Sequence, residues 1–146
     1  MPITFQRELN DEEKTELAGL AAEAAMIAGI TDGASTAAAQ LAVMKDFLEE
    51  DELDEVQVTD YAFKFGSLFG SLVEITHGWR WGMIRFEDGE TRFAVLSPNR
   101  DHGIAVHELF FNHLSGAKES NFVSLFNLLQ KTPKPRAAAQ GILLFN

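Results

Sequence analysis

The sequence predicts an α+β fold in which N-terminal helices pack on a small antiparallel sheet and further helices follow toward the C-terminus. Three observations carry this prediction. Two long segments between Asn10 and Glu50 repeat apolar residues at helical spacing. A third helical stripe runs from Tyr61 to Ile75, and directly after it GWRWGMIRFEDGETRFAVLSP alternates on both sides of Asp88-Gly89, the pattern of a hairpin. The chain has 146 residues, 46% of them hydrophobic, which suits one domain spanning residues 1–146 with a real core.

The first helix is expected from about Asp11 to Ala28. Asn10 followed by Glu13 is a capping-box signature, and Asp11, Glu12 and Glu13 suit the positive end of the helix dipole. Leu17, Leu20, Ala21, Ala24 and Ile27 fall on one face, and Gly29 stops the helix. Thr31–Ser35 reads as a turn in which Asp32 or Ser35 caps the next helix. Ala37, Leu41, Met44 and Leu48 form that helix, which ends near Leu48 or Glu50 where an acidic run begins.

The run is Glu49, Glu50, Asp51, Glu52, Asp54 and Glu55, interrupted only by Leu53. Carboxylates at a helix C-terminus oppose its dipole and help to end it. Thr59 or Asp60 is the expected cap of the third helix. Its stripe is Tyr61, Phe65, Leu68, Leu72 and Ile75, with Gly78 as the stop. Inside it FGSLFGSL places Gly66 and Gly70 four apart on one face. Each interior glycine costs about 1 kcal/mol relative to Ala, so a closely packed neighbour is expected to offset it.

Asp88-Gly89 predicts a two-residue turn pairing Phe86 with Thr91 and Ile84 with Phe93. Ile84, Phe86, Phe93 and Val95 then share one face, and Trp81, Met83, Ala94 and Leu96 the other. The hairpin (79–97) is therefore central and covered on both sides. Of the two tryptophans, Trp79 is expected to be the more exposed. Ile104–Val106 suggests a short strand and His107–Leu114 a short helix; Ser120 or Asn121 caps another helix with Phe122, Leu125, Phe126 and Leu129 inward. The apolar end, Gly-Ile-Leu-Leu-Phe-Asn, is expected to dock as a strand or clasp on the sheet, or else on a partner.

Composition narrows the function. There is no cysteine, which removes thiol catalysis, disulfides and Cys-based zinc sites and suits a reducing cytoplasm. No secretory signal or membrane span is apparent. Net charge is −10, and residues 1–60 hold 15 acids against 3 bases while residues 61–146 hold 7 against 9. Such a field repels nucleic acid and anionic membrane and attracts basic partners. Arg80, Arg85, Arg92 and Arg100 near two tryptophans are the one feature favouring nucleic acid, and the acidic excess argues against it.

Enzyme motifs are missing. HELFFNH places its second histidine at i+6 where zinc-binding helices need i+4, so no metal site or cofactor is expected. Ser97, Asp101 and His102 are a pairing any loop can contain, and no catalytic residue is assigned.

The segment Phe65–Pro98 resembles small bacterial domains in which a glycine-marked helix (Gly66, Gly70) leads to a Trp-bearing strand (Trp79, Trp81), a DG hairpin and a strand ending near proline. The overall format also resembles bacterial immunity proteins, which are small, acidic, Cys-poor α+β domains that cover a toxin. That resemblance implies a non-enzymatic, bacterial, cytoplasmic protein that occludes a basic toxin or effector. The charge distribution puts the contact on Asp46, Glu49, Glu50, Asp51, Glu52, Asp54, Glu55 and Asp60, with Phe47, Leu53 and Tyr61 as apolar anchors. The alternatives are an acidic secretion chaperone for an effector, using the apolar C-terminal segment, and a small ligand-binding or enzymatic domain using the glycine face and histidines.

Overall fold

The computed structural model describes residues 2–30, 36–50, 52–116, 121–131, 133–137 and 140–145. Its elements in chain order are β1 (Thr4–Glu8), α1 (Asp11–Ala28), α2 (Ala37–Glu50), α3 (Glu55–His77), β2 (Arg80–Arg85), β3 (Thr91–Leu96), β4 (His102–Ile104), α4 (Val106–Leu114), α5 (Phe122–Leu128) and β5 (Leu143–Leu144). The fold is α+β. One sheet runs in the order β1-β2-β3-β4-β5. Its first four strands are antiparallel in succession, and β5 joins β4 in parallel, which makes the sheet mixed.

The helices lie on one face. α3 is the central one, flanked by α1 and α4. Phe65, Phe69 and Val73 are fully buried, and Phe69 meets Phe110 of α4 and Phe122 and Phe126 of α5 at 5.5, 6.1 and 6.0 Å between ring centres. Burying each such phenylalanine stabilises the fold by about 1.5–3 kcal/mol. The opposite face has its own small core. Ile84, Ala94, Leu96 and Ile142 are buried there, with Ile3, Phe5, Phe86 and Leu144 packed around them. The Ile142 N–H donates to the Ile3 carbonyl (2.9 Å), so segments from both ends of the chain close this side.

The local signals that specify α1 are realised in full. The Asn10 side chain accepts from the Glu13 N–H, the Glu13 carboxylate accepts from the Asn10 N–H, and Gly29 closes the helix at φ 75. The Asn121 side chain likewise accepts from the Ser124 N–H at the start of α5. For α2, the expected caps Asp32 and Ser35 lie outside the described residues, and Thr36 Oγ1 accepts from the Ala39 N–H at 3.1 Å. The apolar end of the chain docks as β5, as expected.

Several expectations are corrected. β1 has no counterpart in the sequence reading, because TFQRE is largely exposed and shows little alternation. The N-cap of α3 is Asp54, five or six residues before the expected Thr59 or Asp60. Asp54 and Gln57 form a reciprocal capping box, and Asp54 and Glu55 also suit the positive end of the helix dipole. At the other end of α3 the apolar stripe stops early, since Ile75 is 80% exposed. β4 is His102–Ile104 rather than Ile104–Val106, because Val106 already begins α4.

The hairpin register differs by one residue. Its loop is Glu87-Asp88-Gly89, three residues long. The Phe86 N–H donates to the Glu90 carbonyl (2.8 Å), the Gly89 N–H to the Phe86 carbonyl (3.0 Å), and Gly89 takes φ 86. A type I turn followed by a left-handed glycine is the usual three-residue alternative to the two-residue turn. Arg85 therefore pairs with Thr91, Met83 with Phe93 and Trp81 with Val95. One residue of slip moves a whole strand's side chains to the other face. Trp81, Met83, Phe93 and Val95 share the helix side, and Ile84, Ala94 and Leu96 share the reverse side. Trp79 is buried, not exposed: it is 2% accessible and lies 6.3 Å from Phe145, whereas Trp81 is half-buried.

Candidate functional site

The candidate site is the junction of α2 and α3. In the last turns of α2, Leu48 is buried and Phe47 half-buried, so the same turns carry Asp46, Glu49 and Glu50 on the exposed side. Glu52 and Glu55 are exposed, and Leu53 is half-buried between them. Asp51 lies outside the described residues. Among the described residues, Asp46, Glu49, Glu50, Glu52 and Glu55 form no ion pair. No basic residue lies in the last turn of α2 to offset Glu49 and Glu50. Glu49 and Glu50 lie at the negative end of the α2 dipole, where carboxylates are locally unfavourable, whereas Glu55 lies in the first turn of α3 and suits its positive end.

Two of the predicted acids have internal work. Asp54 caps α3 by accepting from the Gln57 N–H at 2.8 Å. Asp60 pairs with Lys64 one turn on, also at 2.8 Å, and this hydrogen bond raises the Lys64 pKa. The predicted anchors are also partly engaged. Phe47 and Tyr61, both half-buried, meet the fully buried Phe65 at 5.7 and 5.6 Å and each other at 6.0 Å, an aromatic trio tying α2 to α3. They offer ring edges to a partner, not whole side chains.

The structure supplies apolar groups that the sequence reading passed over. Val56 is 78% exposed within the acidic run, and Phe63 is 46% exposed two turns further along the same face of α3. The signal for Phe63 was present: the stripe Tyr61, Phe65, Leu68 and Leu72 leaves it on the opposite side. The junction thus combines uncompensated carboxylates with apolar side chains open to solvent.

The chemically suggestive groups lie elsewhere and are bound into the fold. Ser67 is completely buried, and its hydroxyl donates to the Phe63 carbonyl at 2.6 Å. His107 Nε2, 2.9 Å from Ser67 Oγ, is then the donor in that contact. The imidazole sits among Phe63, Trp81 and Phe93, and burial pushes its pKa down to about 4. A nucleophilic serine needs exposure and a histidine that takes its proton. This pair has neither. Ser67 and Gly66 instead let α4 approach α3, and Gly70 receives the Trp81 ring, so the glycine face is filled from within.

Ser97, Asp101 and His102 do come together, but with the carboxylate in the middle. The Ser97 hydroxyl and the His102 ring both contact Asp101 Oδ1 at 2.9 Å, and the Arg136 N–H donates to Oδ2 at 3.0 Å. Burial pushes the Asp101 carboxyl up, yet its hydrogen bonds with His102, Arg136 and Ser97 outweigh it and bring the pKa to about 2. The cluster ties the β3–β4 turn to the C-terminal segment. His77, whose pKa burial lowers despite its contact with the Phe126 carbonyl (3.0 Å), belongs to the α3–α5 interface.

No protein-family model, curated protein or solved structure matches the chain. The functional reading therefore rests on the molecule's own chemistry. Among the described residues, no group of three or more His, Asp or Glu could hold a metal ion, and no helix is long and apolar enough to cross a membrane.

Proposed function

We propose that the chain is a protein-binding module whose α2–α3 junction captures a basic protein, and that it acts as an immunity-type inhibitor covering a basic toxin. The observation that carries this reading is the set of five exposed carboxylates, Asp46, Glu49, Glu50, Glu52 and Glu55, without internal ion pairs among the described residues. They sit beside exposed Val56 and Phe63. Charge steers the encounter and rejects wrong partners, while buried apolar contacts hold the complex. Asp54 and Asp60 contribute field but keep their bonds within α3. The chaperone alternative loses its motivating feature, since the apolar C-terminal segment is engaged as β5.

The test pairs the protein with the product of the gene immediately beside its own. Association rates are measured from 20 to 500 mM salt for the wild type and for the combined variant Glu49→Gln, Glu50→Gln, Glu52→Gln, Glu55→Gln. Electrostatic steering changes on-rates by about 10–10³-fold, so the variant is expected to associate at least tenfold more slowly at low salt and to lose most of the salt dependence. Val56→Ser with Phe63→Ser is expected to speed dissociation instead. A complex indifferent to salt and to the quadruple variant would refute the acidic junction as the contact.

A further inference from the structure

A second feature of the surface has the opposite electrostatic sign. Where β2 begins and β3 ends, the sheet and α1 leave an open groove of about 1030 Å³. That is at the upper end of the usual ligand clefts, about 300–1,000 Å³. Its apolar lining includes buried Leu9, Leu17 and Leu96 and the half-buried Trp81 ring. Its charged lining is Lys14, Arg80 and Arg100 against Glu8 and Glu74. Both acids are engaged: Glu8 bonds Arg100 at 2.9 Å, and Glu74 accepts from the Trp81 backbone N–H at 3.3 Å. Lys14 and Arg80 are exposed and have no side-chain partner among the described residues. In a chain of net charge −10, a groove of mixed polar and apolar lining that carries three cations against two carboxylates, net +1, is a local inversion of the field.

Two further observations point to the same place. Arg100 is the one non-glycine residue with positive φ (58) among those described. Such conformations persist only where the surroundings impose them, and they concentrate at ligand sites. Here the guanidinium lies 4.0 Å over the Phe5 ring and bonds Glu8, which fixes a third cation at the rim. Trp79 lines the groove at 2% exposure, and its indole N–H has no acceptor among the described residues although it is not sealed from solvent.

We infer that this groove binds a small amphipathic organic anion. The apolar body lies against Leu9, Leu17 and Trp81, and a carboxylate or phosphate group meets Lys14 and Arg80. The site is separate from the acidic junction, and either proposal can fail without the other.

The protein has only two tryptophans, Trp79 and Trp81, and both line the groove, so their indole N–H resonances report its occupation. The probes are 2-naphthoate, 2-naphthyl phosphate, neutral 2-naphthylmethanol and inorganic phosphate. We expect at least one naphthyl anion to shift both indole signals with at least tenfold higher affinity than the neutral probe. The preferred anion identifies the head group, and inorganic phosphate alone is expected to cause no saturable shift. Lys14→Met with Arg80→Gln is expected to weaken the anion at least tenfold while leaving the neutral probe unchanged. Both residues are exposed, so the fold is preserved, as the remaining amide spectrum will report. Equal affinity for neutral and anionic probes, unmoved indole signals at millimolar probe, or an unchanged double variant would each overturn the inference.

Discussion

Replacing Gly66 by Ala tests the central packing of the molecule. In an exposed helix interior the change is favourable by about 0.8–1.0 kcal/mol. At Gly66 a Cβ would stand 2.9 Å from the Val106 carbonyl oxygen, 3.0 Å from His107 Cδ2 and 3.1 Å from the Val106 carbonyl carbon. Two of these atoms are backbone at the start of α4, so no rotamer change relieves the contact and the helix itself must retreat by a few tenths of an ångström. Overpacking of this kind costs about 1–3 kcal/mol. Retreat also weakens the Ser67–His107 hydrogen bond, a further loss of about 0.5–1.5 kcal/mol. The net expectation is destabilisation by about 1–3 kcal/mol, or roughly 3–10 °C in melting temperature for a chain of this length. Gly19→Ala is the internal control. It lies in α1 with nothing within 4 Å of a built Cβ, and should stabilise by nearly the full propensity gain. Urea titrations of both variants, read as midpoints at unchanged slope, decide the matter. A Gly66→Ala protein as stable as Gly19→Ala would refute the close approach of α4 to α3.

Asp54→Ala should cost about 0.5–2 kcal/mol through loss of the α3 cap, whereas Asp54→Asn, which removes the same charge, should stay within a few tenths; equal losses would mean that charge, not capping, matters there. His107 titrates near 6.5 when unfolded and near 4 when folded, so the unfolded chain binds more protons between these values. Stability should therefore fall as pH drops from 6.5 to 4 and level off below, and His107→Gln should flatten that part of the urea-midpoint profile. Asp101 has the depressed pKa of an engaged carboxylate. Its contribution is complete above 3.8 and is lost as pH falls toward 2, and Asp101→Asn should remove that limb of the acid-unfolding curve.

Where structure is specified over a few neighbouring residues, the sequence alone was sufficient. The Asn10/Glu13 box and Gly29 delimit α1, Asn121 starts α5, and the spacing of Leu41, Met44 and Leu48 gives the buried face of α2. The acidic junction was legible for the same reason, since charge is a property of composition. The cap at Asp54 was also legible, since Gln57 three residues on completes a capping box that Thr59 and Asp60, followed by Ala62 and Phe63, lack; the acidic composition around it masked that local signal. The hairpin register was missed because Asp-Gly serves both two- and three-residue loops. What selects between them is which faces the helices and the Ile142 side cover, and that is set by chain segments distant in sequence.

By itself, then, the sequence determined the α+β class, most helix ends and a negative N-terminal half, because each follows from short-range spacing or from counting charges. Tertiary structure alone decided that Phe47 packs with Tyr61 and Phe65, and that Ser67 and His107 meet in the core. It also brought Lys14, Arg80 and Arg100 to the rim of one groove. Those outcomes depend on distances between residues far apart along the chain, and folding fixes such distances by packing, a many-body condition that no local pattern encodes.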